Sequence, residues 1–246
     1  MKKALVVYGG WDGHDPEKIA KLYQKILEEE NFEVEMADKL EVLSDEKKVK
    51  EKDIIIPHWT MGTLAPDQLF PVIEAVAGGV GIAGCHAGLC DTFRDNVDWQ
   101  FMTGGQWVAH PGGQTLKFKV NITDHSNPIT EGIEDFYMES EQYYMHVDPA
   151  VRVLAATRFP VGKPPYLYDG KIQFNSDSAL CAYDFDEKDA QSGPHVLNGV
   201  VDMPVMWTKT FGHGRVFYNS LGHIADDFSQ EPVQTLMRRG ILWAAR

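Results

Sequence analysis

The feature that most constrains this chain is a regular alternation of short apolar runs and amphipathic stretches over its first hundred residues. Residues 5–8 form a continuous apolar run closed by a glycine-rich turn, as expected of a strand buried on both faces. Residues 16–30 then place Ile19, Leu22, Tyr23, Ile26 and Leu27 at helical spacing, after an Asp15-Pro16 start signal. A second strand is expected at 32–36. A polar helix follows at 40–52, around Val42, Leu43 and Val49. A third strand at 53–56 is ended by Pro57, a helix covers 66–76, and a fourth strand lies at 79–83. The order β-α-β-α-β-α-β predicts an α/β fold, a parallel sheet with right-handed crossovers and flanking helices.

From about residue 105 to 205 the pattern changes. Residues 115–122 alternate through Leu116, Phe118, Val120 and Ile122, and 151–156 and 203–207 also read as strands. A turn at 211–214 precedes 215–218, giving a hairpin. Residues 231–245 form a closing helix with Val233, Leu236, Met237, Ile241 and Leu242 on its apolar face. The expectation is one domain, 1–246, with a β-rich insertion at approximately 105–205. Residues 160–169 and 187–194 read as loops, and the acidic run 184–189 as a solvated one.

Composition narrows the partners. Among 246 residues, 36 acidic side chains outweigh 23 basic ones, a formal charge of −13. That charge repels nucleic acid and anionic membrane surfaces, so neither is expected as a partner. Three cysteines cannot build a disulfide framework, and an odd count favours a reducing compartment. The run at 4–8 is too short for a secretory signal, and nothing approaches a membrane span. A cytoplasmic location is expected. No residue pattern specifies or excludes a homo-oligomer.

In open α/β sheets, ligands bind beyond the carboxyl ends of the strands. Each of four such ends carries a histidine: His14 after the first strand, His58 after the third, His86 after the fourth and His223 after the last. Gly84-x-His86-x-Gly88 has the spacing of a strand-to-helix nucleophile elbow. The central residue is histidine, which argues against a covalent acyl intermediate on serine or cysteine. Cys85, Cys90 and Cys181 read as buried and inert. Trp11 and Trp59 follow strands directly and are expected as pocket walls. His110 and His146 are candidate rim residues, Arg94 reads as part of a surface ion pair, and His125, His195 and His213 read as surface residues.

The segments GGWDGHD, GVGIAGCHAG, GGQWVAHPGG, HSNPITEGIEDF, SEQYYMHVDP, PVMWTKTFGHGRVFYNSLGH and RGILWAA span nearly the whole chain. Together they resemble the ThuA-like, or trehalose utilisation, family. The resemblance implies a flavodoxin-like parallel sheet of the class I glutamine amidotransferase-like kind. It also implies a role in catabolism of disaccharides and their keto forms. Glutaminase activity is not implied, because the elbow holds His86. The family's motif histidines correspond to His14, His86 and His223. Its Asp-Glu-x-Tyr motif corresponds to Ser140-Glu141-Gln142-Tyr143, which departs at Ser140 and keeps Glu141.

Three histidines and a carboxylate suit two chemistries. His14, His86, His223 and Glu141 are a candidate ligand set for a divalent metal such as Zn²⁺. The same residues are candidates for metal-free acid-base catalysis beside a sugar carbonyl or hydroxyl. Trp11, His58, Trp59, His110, Tyr143 and His146 are expected to bind a small-molecule sugar. Two alternatives stay open: a non-catalytic sugar-binding or regulatory module, and a cysteine-dependent hydrolase, which the elbow disfavours.

Overall fold

Apolar alternation in the first strand divides it between two cores. In the computed structural model, which describes residues 1–110, 114–159, 167–168, 171–172 and 201–246, β1 spans Lys2–Gly9. Ala4 and Val6 pack on one side of the sheet, and Leu5 and Val7 on the other. Strands β2 (Phe32–Ala37), β3 (Ile54–Trp59), β4 (Gly81–Cys85) and β13 (Gly214–Asn219) complete a parallel set in the order β2-β1-β3-β4-β13. That is the flavodoxin-like order. Helices α1 (Pro16–Glu29) and α6 (Glu231–Ala244) cover one face through Ile19, Tyr23, Val233 and Leu236. Helices α3 (Pro66–Ala77) and α5 (Val97–Thr103) cover the other through Leu69, Val72, Trp99 and Met102.

The segment after β4 builds outward from this set. Strands β6 (Leu116–Ile122), β7 (Phe136–Ser140), β9 (Arg152–Phe159) and β12 (Val201–Phe211) extend the sheet antiparallel to nine strands, ending β13-β12-β9-β6-β7. β5 (Gly105–Ala109) and β8 (Tyr144–Val147) leave the sheet and pair as a separate antiparallel ribbon. β10 (Leu167–Tyr168) and β11 (Lys171–Ile172) form a further short pair. The loop expected at 187–194, the acidic run, Cys181, His195 and most of 160–169 lie outside the described residues. Among those described, no helix is long and apolar enough to cross a membrane.

Two expectations need correction. Pro57 does not end the third strand, which runs on to Trp59 with Val7 opposite Pro57 and Tyr8 opposite His58. Pairing with β4 covers only Ile54 and Ile55, so Pro57 lies past that ladder, where a missing N–H is tolerated. The helix expected over 40–52 is broken. A 3₁₀ turn at Leu40–Ser44 precedes Asp45, whose carboxylate accepts from Lys48 N at 3.0 Å and caps α2 (Glu46–Lys50).

Candidate functional site

The carboxyl ends of the parallel strands meet at a cavity of about 510 Å³. After β1, Gly9 and Gly10 turn the chain into a 3₁₀ turn, Asp12–His14. It buries His14, whose Nδ1 shares a 2.8 Å hydrogen bond with Thr60 Oγ1. After β4, His86 sits at φ 47° and ψ −132°, a region a non-glycine residue occupies only when its surroundings hold it there. Here they do. His86 N donates to Asn219 O at 2.7 Å, and the His86 carbonyl accepts from Tyr218 Oη at 3.1 Å. Short helix α4 (Ala87–Cys90) follows. A Cβ on Gly88 would strike the His58 ring, so the elbow's glycine admits the neighbouring strand.

Glu141 reaches the same point from β7. It is 3% exposed. Its Oε2 lies 3.3 Å from His86 Nε2, and its Oε1 lies 3.4 Å from His223 Nε2 and 3.8 Å from His110 Nδ1. The His14, His86 and His223 rings form a near-equilateral triangle, with centroids 5.1, 5.2 and 5.3 Å apart. Tyr143 Oη hydrogen-bonds His86 Nδ1 at 2.9 Å, and its ring lies 4.0 Å from the imidazole.

Burial keeps these imidazoles neutral. It pushes His14 down to about 2, helped by the neighbouring histidines, and His58 down to about 4. His86 is driven well below the ordinary histidine value by burial and then by His223. Burial lowers His223 as well, against the opposing pull of Glu141. Neutral imidazoles carry the lone pair that a metal needs.

Among the described residues, His14, Glu141 and His223 present ligand atoms that all lie within 4.8 Å of one another. The buried His223 Nε2, though 3.4 Å from Glu141 Oε1, has no hydrogen-bond partner of proper geometry among the described residues. A buried imidazole nitrogen left without a partner is costly unless something else uses its lone pair. The donor set, nitrogen and carboxylate oxygen, suits Zn²⁺ or a similar divalent ion. His86, expected among the ligands, is not in this trio, and its Nδ1 is committed to Tyr143.

The other expected residues divide. Trp11, His110 and Tyr143 line the cavity, and Trp11 remains 46% exposed. His58 lies behind it, 1% exposed, with Nε2 3.4 Å from the His14 carbonyl and its ring against Tyr23. Trp59 packs away from it, in an apolar pocket with Val7, Leu43, Val72 and Phe93. His146 is exposed on the outer face of β8 opposite Gln106, because strand alternation turns Met145 inward. His125 and His213 are exposed.

Cavity residues that the sequence reading did not assign include Thr60, Met61, Asp91 and Gln114. Arg94 is more than a surface partner. Its Nη2 donates to Asp91 Oδ2 at 2.9 Å, and its guanidinium lies 4.4 Å from the Trp107 ring on the cavity wall. Asp91 was findable only as the residue closing the short helix after the elbow. Among the described residues, which do not include Cys181, the cysteine alternative finds no accessible nucleophile. Cys85 is buried, pushed up to about 12 by burial, and Tyr23 Oη donates to its Sγ at 2.9 Å. Cys90 is likewise buried and raised, and neither thiol lines the cavity.

A family model described as ThuA, trehalose utilisation, matches residues 3–244. A ThuA-like protein from Parabacteroides merdae superposes with a TM-score of 0.71 at 16% identity, covering 99% of this chain and 89% of that one. A ThuA-like protein from Bacteroides uniformis gives 0.68 at 16% identity, covering 99% and 91%. A cytoplasmic protein from Salmonella typhimurium LT2 gives 0.62 at 11% identity, covering 99% and 100%. No curated protein matches the sequence. The shared architecture is the class I glutamine amidotransferase-like fold, a mostly parallel sheet with flanking helices.

Proposed function

This chain belongs to the ThuA family of trehalose utilisation, and on that premise we propose that it is a sugar-catabolism enzyme acting on a disaccharide or keto-sugar. The observation that carries the reading is the buried trio of His14, Glu141 and His223 beside a cavity of about 510 Å³. That volume falls within the range of small-molecule sites. We assign those three residues as the ligands of a divalent cation. Such a cation supplies Lewis acidity toward a sugar oxygen.

The remaining work falls to the chain itself. His86 Nε2 is the proton-transfer atom, because Tyr143 engages Nδ1 and so fixes the ring's orientation. Burial raises Tyr143 well above the ordinary phenol value, so it keeps its proton and serves as a hydrogen-bonding anchor. Trp11 offers a partly open indole for the apolar face of a sugar ring. The Asp91–Arg94 pair, which also lines the cavity, offers acceptors and donors for sugar hydroxyls.

The test has two parts. Protein purified without a histidine tag should carry roughly one equivalent of zinc or another divalent ion by elemental analysis. Incubation with disaccharides and their 3-keto derivatives should then give a product by mass spectrometry. Turnover by cation-free protein would move the chemistry to metal-free acid-base catalysis. Saturable binding in calorimetry with no product from any sugar would replace the enzyme with a binding module.

A further inference from the structure

The residues tying the trio together belong to one short segment, the turn that carries His223 and the 3₁₀ turn Ala225–Ser229 that follows it. Asp227 is the centre of this segment. Its Oδ2 accepts from His223 N at 2.9 Å and from Ser140 Oγ at 2.7 Å. Gly222 N also donates to the Asp227 carboxylate. Ser140 directly precedes Glu141, so one carboxylate oxygen joins the two ligand-bearing segments, 87 residues apart in sequence. The third ligand is tied to the same place. Ala225 N donates to Asp15 Oδ2 at 3.3 Å, and Asp15 directly follows His14. Each member of the trio is thus itself in the segment or next to a residue bonded to it.

We propose that residues 222–227 form a clamp that sets the spacing of His14, Glu141 and His223, with Asp227 as its positioning residue for a divalent cation. This rests on the reading of the trio as cation ligands. The burial of Asp227 is the second argument. It is 8% exposed, and among the described residues no lysine or arginine pairs with it. A buried carboxylate held only by neutral donors is an expensive way to cap a turn. Its hydrogen bonds to His223 N and Ser140 Oγ are instead what hold the two ligand-bearing segments at one spacing. Outer partners of this kind orient ligands, and their loss typically costs 10- to 100-fold in metal affinity.

The test is a Zn²⁺ titration of the full chain against a chromophoric chelator, with the Co²⁺ absorption spectrum as a probe of ligand arrangement. Asp227→Asn keeps the shape and should bind Zn²⁺ roughly 10- to 100-fold more weakly, with an altered Co²⁺ spectrum. Circular dichroism and melting of the cation-free protein report whether the variant folds. A purely structural role would lower that melting temperature and leave the affinity of the folded protein alone. Should Asp227→Asn fail to fold, Ser140→Ala removes a single arm of the clamp and should weaken binding in the same direction. Wild-type Zn²⁺ affinity in folded Asp227→Asn overturns the clamp, as does wild-type affinity in Ser140→Ala where that variant carries the test. A wild-type chain that takes up no divalent cation removes the ligand reading, and the clamp with it.

Discussion

At position 86 the backbone and the side chain are fixed from different directions. Asn219 and Tyr218 hold the peptide groups, Tyr143 holds Nδ1, and Nε2 is left facing Glu141. The backbone bonds do not involve the imidazole, so they survive its removal. His86→Ala should therefore fold normally and lose turnover by roughly 100-fold or more, the scale of a lost general acid or base. Product formation from the sugar panel, alongside a melting curve, measures both. Full activity in that variant would remove His86 from the chemistry. Position 140 shows a different economy. The serine there stands where the resemblance leads one to expect an acid, and its hydroxyl donates to Asp227. The residue pattern of the site was legible in the sequence because strand ends are local features. The partners of those residues were not, because Asp91, Thr60 and Asp227 reach the cavity or its supports only through folding.

Elements came out of periodicity where one face is uniformly buried. α1 and α6 follow their apolar stripes, and β1 follows its unbroken apolar run. The misses have local causes: a capping aspartate at 45 divides one helix, and β3 runs two residues past its expected turn. That extension decides His58. As a strand residue opposite Tyr8 it is held in the layer between α1 and the elbow, not in the cavity. The contact between α6 and β13 gives a test of element packing. Gly240 lies so close to the Phe217 ring that an added Cβ would overlap it. Two effects oppose each other in Gly240→Ala. Helix propensity favours alanine by about 1 kcal/mol, whereas overpacking a tight core typically costs about 1–3 kcal/mol. The ring is fully buried and cannot swing into solvent, so the variant should be net destabilised, read as a lower urea midpoint. A higher midpoint would show that the helix shifts freely on the sheet.

For the molecule as a whole, the buried imidazoles couple stability to pH. In the unfolded chain a histidine takes up a proton near its ordinary value of 6.5, while folded His14 and His58 do so only at about 2 and about 4. Between those limits the unfolded state binds more protons, so stability rises with pH. Their contribution is complete above about pH 6.5 and is lost as pH falls toward the folded values, by about 1.4 kcal/mol per pH unit per imidazole. Chelator-treated protein should thus show a nearly constant melting temperature from pH 8 to 7 and a steep fall from pH 6.5 to 4.5. His58→Gln should make that fall shallower by about one proton's worth, whereas an unchanged slope would assign it to carboxylates alone. The sequence by itself determined the α/β class, the order of the first four strands, and the placing of histidines at strand ends, because these depend on spacings within a few residues. Only the tertiary structure decided which of those side chains meet. The meeting depends on turn conformations at His14 and His86, on strand alternation that turns His146 outward, and on a carboxylate brought to His223 from another part of the chain, all of which are fixed by long-range packing.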